Sequence, residues 1–290
     1  MKNVILFGAT GNLGREIAKE LIRQQYALTV VARNKNKAEQ LSHLSSNFII
    51  ADVTRNETLT DICKGHEIVI SALGKSVSPR DKSQASFREV DLLGNLNILE
   101  QAVESKIKKF VYVSAFHAER YPSLEYFKVH HDFSEMLKKS GINYSIIKPP
   151  AIFSAFTEMI DLARKGYLVN MGKGDKKTNP IYEGDLAKLC VDSIHKVNTT
   201  IEAGGKTIYT RAQLNAIIQR EIDPNRKVRT LPLPLLKVVL PFIRIVDKNT
   251  FDKFSFFAEV MQQDTIASQI GEMQFEDYIK RKVKEEVNSR

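Results

Sequence analysis

Three features of the sequence predict an α/β fold built on a doubly wound parallel sheet. The first is the opening: an apolar run, VILF (4–7), leads through GATGNLG (8–14) into REIAKELIR (15–23). The second is a strict alternation of short apolar runs with helical patterns over the first half of the chain. The third is that those runs are rich in Val and Ile with no polar alternation, which suits strands buried on both faces. Strand–helix–strand repetition of this kind gives right-handed crossovers and a parallel sheet.

The elements follow in order. After VILF, the apolar positions Ile17, Ala18, Leu21 and Ile22 have helical spacing. YALTVVAR (26–33) reads as a second strand and NKNKAEQLSHL (34–44) as a helix. NFIIADV (47–53) is a third strand, and TRNETLTDICKG (54–65) a short helix ending at Gly65. EIVISALG (67–74) is a fourth strand, followed by one long helix over 85–105. KKFVYVSAF (108–116) is a fifth strand, and FKVHHDFSEMLKKSG (127–141) a helix closed by Gly141. INYSIIKPPAIF (142–153) is a sixth strand, stopped by Pro149 and Pro150. Beyond residue 150 the pattern loosens, with a helix from Glu183, a strand at 206–210 and a helix at 211–222. No Pro-, Gly- or Ser-rich linker divides the halves, so residues 1–290 are expected to form a single unit. In it, 1–150 mainly bind a cofactor and 151–290 add a smaller substrate lobe over the sheet's C-terminal edge.

Composition narrows the class. The 290 residues are 43% hydrophobic and 27% charged, ordinary for a globular protein. No apolar run reaches the ~20 residues that span a bilayer, and the N-terminus lacks the pattern of a signal peptide. Cys63 and Cys190 form no CxxC pair, which fits a reduced, cytoplasmic setting. The net charge of +9 is spread over dispersed lysines with no basic, aromatic-interleaved stripe, so no nucleic-acid partner is expected.

The glycine turn carries the chemistry. Gly8 permits a tight turn, Gly11 lets a diphosphate approach the main chain, and Gly14 lets the helix lie close on the strand. Thr10, Asn12 and Leu13 complete a cradle at a helix N-terminus, whose free N–H groups and dipole attract an anion. An NAD site normally carries a carboxylate about 20 residues further on, at the end of the second strand, for the ribose 2′-hydroxyl. Here that place reads VVARNKNKAE, with Arg33 and no carboxylate before Glu39. A guanidinium there suits a 2′-phosphate and predicts NADP(H) over NAD(H). Asp52 and Val53, after the third strand, are placed to reach adenine, and Ala72, Leu73 and Gly74 supply small residues where a dinucleotide crosses the sheet edge.

With Arg33, Asp52-Val53, SALG (71–74) and FVYVSAF (110–116), this turn resembles the short-chain dehydrogenase/reductase superfamily. INYSIIKPPAIF and NPIYEGDLAKLCVDSI (179–194) are similar to segments of its atypical, NAD(P)H-binding or NmrA-like branch. The resemblance covers nearly the whole chain and is strongest to about residue 195. It implies a Rossmann-type fold, a bound dinucleotide and, in many members, reductase or epimerase activity. Active members carry a Ser or Thr at the end of the fifth strand and a Tyr-x-x-x-Lys pair on the next helix. Ser114 and Tyr126 match, but His130 stands where the lysine would be. Tyr126 and His130 share a helix face, whereas Lys128 lies on another and does not replace the lysine.

Three roles for His130 remain open: an altered acid/base or ribose ligand, a packing residue, or, with His131 and Asp132, a metal ligand. Adjacent histidines on a helix point about 100° apart, so no metal site is assigned. Ser114, Tyr126 and His130 are the candidate reaction centre. Residues 149–182 are expected to wall a substrate pocket, and the segment 231–246 (LPLPLLKVVLPFIRIV) to form a buried helix, an apolar lid, a dimer surface or a membrane-surface contact. Phe251, Phe254, Phe256 and Phe257 follow nearby. Such surroundings suit a small hydrophobic carbonyl, quinone or similar acceptor reduced by NADPH. The alternative is a non-catalytic NADP(H)-binding redox sensor or assembly factor that has lost the lysine.

Overall fold

In a computed structural model of the chain, residues 2–45, 47–78, 80–232, 243–244 and 247–288 are described. Strand β1 (Asn3–Phe7) is buried from Val4 to Phe7 and sits between β2 (Ala27–Ala32) and β4 (Ile68–Ser71), parallel to both. β3 (Asn47–Ile50) pairs outside β2, and β5 (Lys109–Val113) and β6 (Asn143–Lys148) continue beyond β4, all in parallel. β7 (Thr199–Glu202) closes a seven-stranded sheet of order β3-β2-β1-β4-β5-β6-β7. The order reverses direction between β1 and β4, and this switch point is where dinucleotides lie across such sheets. The doubly wound Rossmann-type sheet expected from the alternation is therefore present.

The chain forms two compact units. The first comprises Met1–Ser76, Lys82–Lys148 and Leu186–Ile201, and holds the large sheet. Its helices include α1 (Asn12–Arg23), α2 (Lys35–Glu39), α3 (Gly94–Glu104) and α4 (Glu125–Lys139). α1 buries Leu13, Gly14, Ile17, Ala18 and Leu21, the stripe expected from its spacing. α4 buries Phe127, Val129, His130, Phe133, Ser134 and Leu137.

The second unit comprises Val77–Asp81, Pro149–Asp185 and Glu202–Arg290. It contains α5 (Thr157–Arg164), α6 (Arg211–Ile222) and the helices Lys248–Val260 and Phe275–Asn288. Two small sheets pair Arg229–Leu231 with Val169–Met171 and Tyr209–Thr210 with Lys177–Thr178. Its core is aromatic: Phe153, Phe275 and Tyr278 pack with Ile160, Leu214, Ile218 and Ile279. Asn179 is fully buried there and staples two segments, donating to the carbonyls of Gly205 and Ala267 and accepting from the Ala267 amide.

Several local expectations change. The helix expected over 34–44 stops at Glu39, with turns after it. Asn34 caps its start by accepting from the Lys37 amide. Residues 54–65 form only a short 3-10 turn, Asn56–Thr58. The strand at 206–210 shrinks to Tyr209–Thr210. The helix over 85–105 opens into a π turn at Arg88–Leu93 before α3 begins. Of the 231–246 segment, residues 233–242 and 245–246 lie outside the described residues. Among the described residues no helix is long and apolar enough to cross a membrane, and no cluster of His, Cys, Asp or Glu could hold a metal ion.

Candidate functional site

The glycine turn is shaped by steric necessity. Gly8 has φ +80°, and a Cβ there would stand 2.4 Å from the Ala72 carbonyl oxygen. The turns after β1 and β4 are thus in direct apposition, stitched by the Ala72 amide donating to the Phe7 carbonyl (3.1 Å). A Cβ on Gly14 would stand 2.1 Å from the Gly8 carbonyl oxygen, so the first turn of α1 lies against the loop. Gly11 differs. A Cβ there would meet only the Gly8 oxygen, at an ordinary 3.4 Å. No protein packing demands a glycine at this position, which leaves room for a ligand to approach the main chain.

Gly11 is also the N-cap of α1; no side chain caps this end, and no acidic residue occupies the first turn. Uncapped N–H groups, an unopposed helix dipole and an exposed glycine together fit the diphosphate of a dinucleotide. Thr10 and Asn12 flank that surface, while Leu13 is buried beneath it.

At the end of β2, Arg33 is exposed, and its guanidinium makes no hydrogen bond or ion pair among the described residues. Its charge reaches Asp52. Burial pushes the Asp52 carboxyl up, but hydrogen bonds from the Thr54 hydroxyl (2.8 Å) and amide (3.0 Å), helped by Arg33 and Arg55, hold it below its ordinary value. The Asp52 side chain is therefore an anion tied into its own loop. Val53 is buried, and a Cβ on Gly94 would stand 3.0 Å from it and 3.4 Å from Leu73. Gly94, which the sequence reading passed over, thus lets α3 press Val53 and Leu73 together.

The π turn, α3 and α4 bring three further residues into this region. Asp91 is 1% exposed, and its Oδ2 accepts from the Lys75 amide (3.1 Å), just after Gly74. Asn95, one turn on, donates to the Asp91 carbonyl and accepts from the Ser71 hydroxyl (2.6 Å). On α4, His130 is 5% exposed. Its Nδ1 is 2.6 Å from the Tyr112 hydroxyl, and its Nε2 is 3.4 Å from Asp91 Oδ1. The second contact lacks hydrogen-bond geometry, and Oδ1 is a buried oxygen with no hydrogen bond. Burial drives the two groups toward their neutral forms: His130 down to about 4, and Asp91 up to about 8 against the opposing pull of Lys75.

Tyr126 stands one turn before His130, with ring centroids 4.8 Å apart and edge-to-face contacts to Phe87 and Phe127. Desolvation, then the nearby Asp91, push its hydroxyl above the ordinary tyrosine value. Ser114 is buried and faces Ser134 (3.2 Å), which donates to the His130 carbonyl. Lys128 is engaged with Asp132 at 2.5 Å. The structure thus brings Tyr126 and His130 together, puts Ser114 beside Ser134, and gives His130 two partners that sequence reasoning missed, Tyr112 and Asp91. The signal for Asp91 was an acid at i+4 from Phe87 and i−4 from Asn95 on an otherwise apolar helical stripe.

A family described as NAD(P)H-binding matches residues 8–196. Across 314 residues the chain is 22% identical to the photosystem II assembly factor Ycf39 of Cyanophora paradoxa, covering 99% of this chain and 96% of that protein. It is 26% identical over 271 residues to the divinyl chlorophyllide a 8-vinyl-reductase of Arabidopsis thaliana, covering 85% of this chain and 64% of the relative. Among solved structures, the fold is similar to that of the NADPH-dependent quinone oxidoreductase of Escherichia coli, with TM-score 0.71, 18% identity, and 96% and 99% of the two chains covered. With the glycine cradle at the switch point of its sheet, the chain belongs to the NAD(P)H-binding family.

Proposed function

We propose that the protein is an NADPH-dependent oxidoreductase that reduces a small hydrophobic carbonyl, quinone or similar electron-poor acceptor. The observation that carries this reading is the free Arg33 guanidinium at the end of β2, where an NAD site would place a carboxylate. The diphosphate would lie on the Gly8–Gly14 turn, the adenine ribose phosphate on Arg33, the adenine beside Asp52 and Val53, and the nicotinamide half along Ala72, Leu73 and Gly74. A bound nicotinamide would supply the hydride, and solvent the proton that completes the reduction. Tyr126 then donates a hydrogen bond to the acceptor as a neutral hydroxyl, since desolvation opposes the tyrosinate form. His130 is engaged by the Tyr112 hydroxyl and held neutral by burial, so it does not supply the positive charge that the family's lysine gives the tyrosine. Such a site suits reactions that need positioning more than acid/base power. The names of the Arabidopsis reductase and the Escherichia coli quinone oxidoreductase support this class.

A second reading is favoured by a specific observation: the position of the family's lysine is filled by the buried His130. Together with the long match to Ycf39 proteins, this supports a non-catalytic NADP(H)-binding assembly factor or sensor. An acceptor screen with purified protein and NADPH separates the two. Acceptor-dependent loss of reduced-nicotinamide absorbance that falls in Tyr126→Phe supports the enzyme; binding of NADPH without turnover of any acceptor supports the factor.

A further inference from the structure

Asp91 is a buried acid that no binding role in the site requires. It lies directly beneath the turn after β4: a Cβ on Gly74 would stand 3.2 Å from Asp91 Oδ1, and the Lys75 amide donates to Oδ2. β4 is the strand next to β1 on the far side of the switch point, so a dinucleotide cradled on Gly8–Gly14 passes over this turn with its nicotinamide half. Asp91 is 1% exposed, and its Oδ1 has no hydrogen bond. An acid so placed feels nearby charge through a poorly screening medium.

We propose that Asp91 reads the oxidation state of the nicotinamide: the protein binds the oxidised, cationic ring with loss of the Asp91 proton and the reduced, neutral ring with that proton retained. The inference rests on the NADP(H) reading above. The step balances as proton loss alone: protein with protonated Asp91 plus NADP+ gives the complex with Asp91 carboxylate and one free proton. No electron moves.

The surroundings leave Asp91 as the group poised to respond. From the loop after β4, Lys75 already favours its carboxylate. From α4, His130 is held neutral by burial, and Tyr126 is held protonated. From β5, Tyr112 is pushed well above the ordinary tyrosine value, by burial first and Asp91 second. Arg88 and Glu89, on the same π turn, are exposed. With Asp91 near 8 in the free protein, a cation brought above Gly74 lowers that value across the neutral range.

The sign follows. Binding that releases a proton strengthens as pH rises toward the free value, so NADP+ affinity rises and NADPH affinity does not. The 2′-phosphate titrates alike in both nucleotides and cancels in their ratio. The experiment is fluorescence titration of the full chain with NADPH and NADP+ across pH. The ratio of the NADPH to the NADP+ dissociation constant is expected to rise about five- to tenfold from about pH 6.5 to about pH 8.5. In Asp91→Asn, which keeps an oxygen for the Lys75 amide, the ratio is expected to be flat. On the wild type, calorimetry in buffers of different ionisation enthalpy counts protons directly, whether or not the variant folds, and is expected to show up to one more proton released with NADP+ than with NADPH. A flat wild-type ratio with equal proton counts overturns the proposal and leaves the NADP(H) reading standing. An equal rise in Asp91→Asn assigns the proton elsewhere and also overturns it. If neither nucleotide binds, the NADP(H) reading itself falls.

Discussion

The Tyr112 hydroxyl meets His130 Nδ1 at 2.6 Å, joining β5 to α4 through a buried hydrogen bond. This contact uses the ring atom that would otherwise be free to serve a ligand and places His130 in the joint between sheet and helix. Removing the ring takes one hydrogen-bond partner from the buried Tyr112 hydroxyl and leaves a cavity beside Tyr112 and Tyr126. His130→Ala is expected to cost about 2–4 kcal/mol in urea unfolding. Stability within about 0.5 kcal/mol of wild type would show that the contact is not structural.

The same ring sets an acid sensitivity. Folded His130 titrates at about 4, below its ordinary value of 6.5, because burial disfavours the imidazolium. Below 6.5 the unfolded chain takes up a proton that the folded chain refuses. The His130 contribution is therefore intact above that pH and is lost progressively as pH falls toward 4. Urea melts at neutral and mildly acidic pH are expected to show a smaller loss in His130→Gln than in wild type. Equal losses would contradict the assignment.

The second and third glycines of the cradle should separate folding from binding. Gly14→Ala drives a Cβ into the Gly8 carbonyl and is expected to lower stability by at least about 2 kcal/mol. Gly11→Ala meets no such obstacle, so its melting temperature should stay near wild type while nucleotide affinity falls at least tenfold, about 1.4 kcal/mol. Unchanged affinity in Gly11→Ala would remove the diphosphate from this turn.

Reversing the charge at Arg33 tests the phosphate. A charge-assisted hydrogen bond to an anion contributes about 1.5–3 kcal/mol. Arg33→Glu is therefore expected to weaken NADPH about tenfold or more while affecting NADH far less. A uniform loss for both nucleotides would mean that Arg33 does not read the 2′-phosphate. Because Arg33 is exposed, the melting temperature serves as the control and should not move.

Legibility in the sequence followed the range of the interactions. The parallel sheet could be read because each buried strand carries its own signature; β1 and β4 are apolar throughout or nearly so. The glycine cradle could be read because its constraints are local: Gly8 and Gly14 are needed by backbone within the same turn or the neighbouring strand end. The surroundings of His130 could not be read in full. Tyr112, Asp91 and His130 come from a strand, a π turn and a helix, and helical spacing reveals only which residues share a face. The π turn itself was hidden, since REVDLL carries no Pro or Gly to announce a change of winding. The helix expected over 34–44 ends at Glu39, and QLSHL (40–44) goes on as turns that still bury Leu41, so its apolar spacing reads as helix although its winding is not.

The most direct test of the account is a fluorescence titration of the purified protein with NADPH, NADP+, NADH and NAD+. The two 2′-phosphorylated nucleotides are expected to bind at least about tenfold more tightly than their counterparts, a difference of about 1.4 kcal/mol from Arg33. Equal affinity for phosphorylated and unphosphorylated forms, or no binding of any of the four, would contradict it.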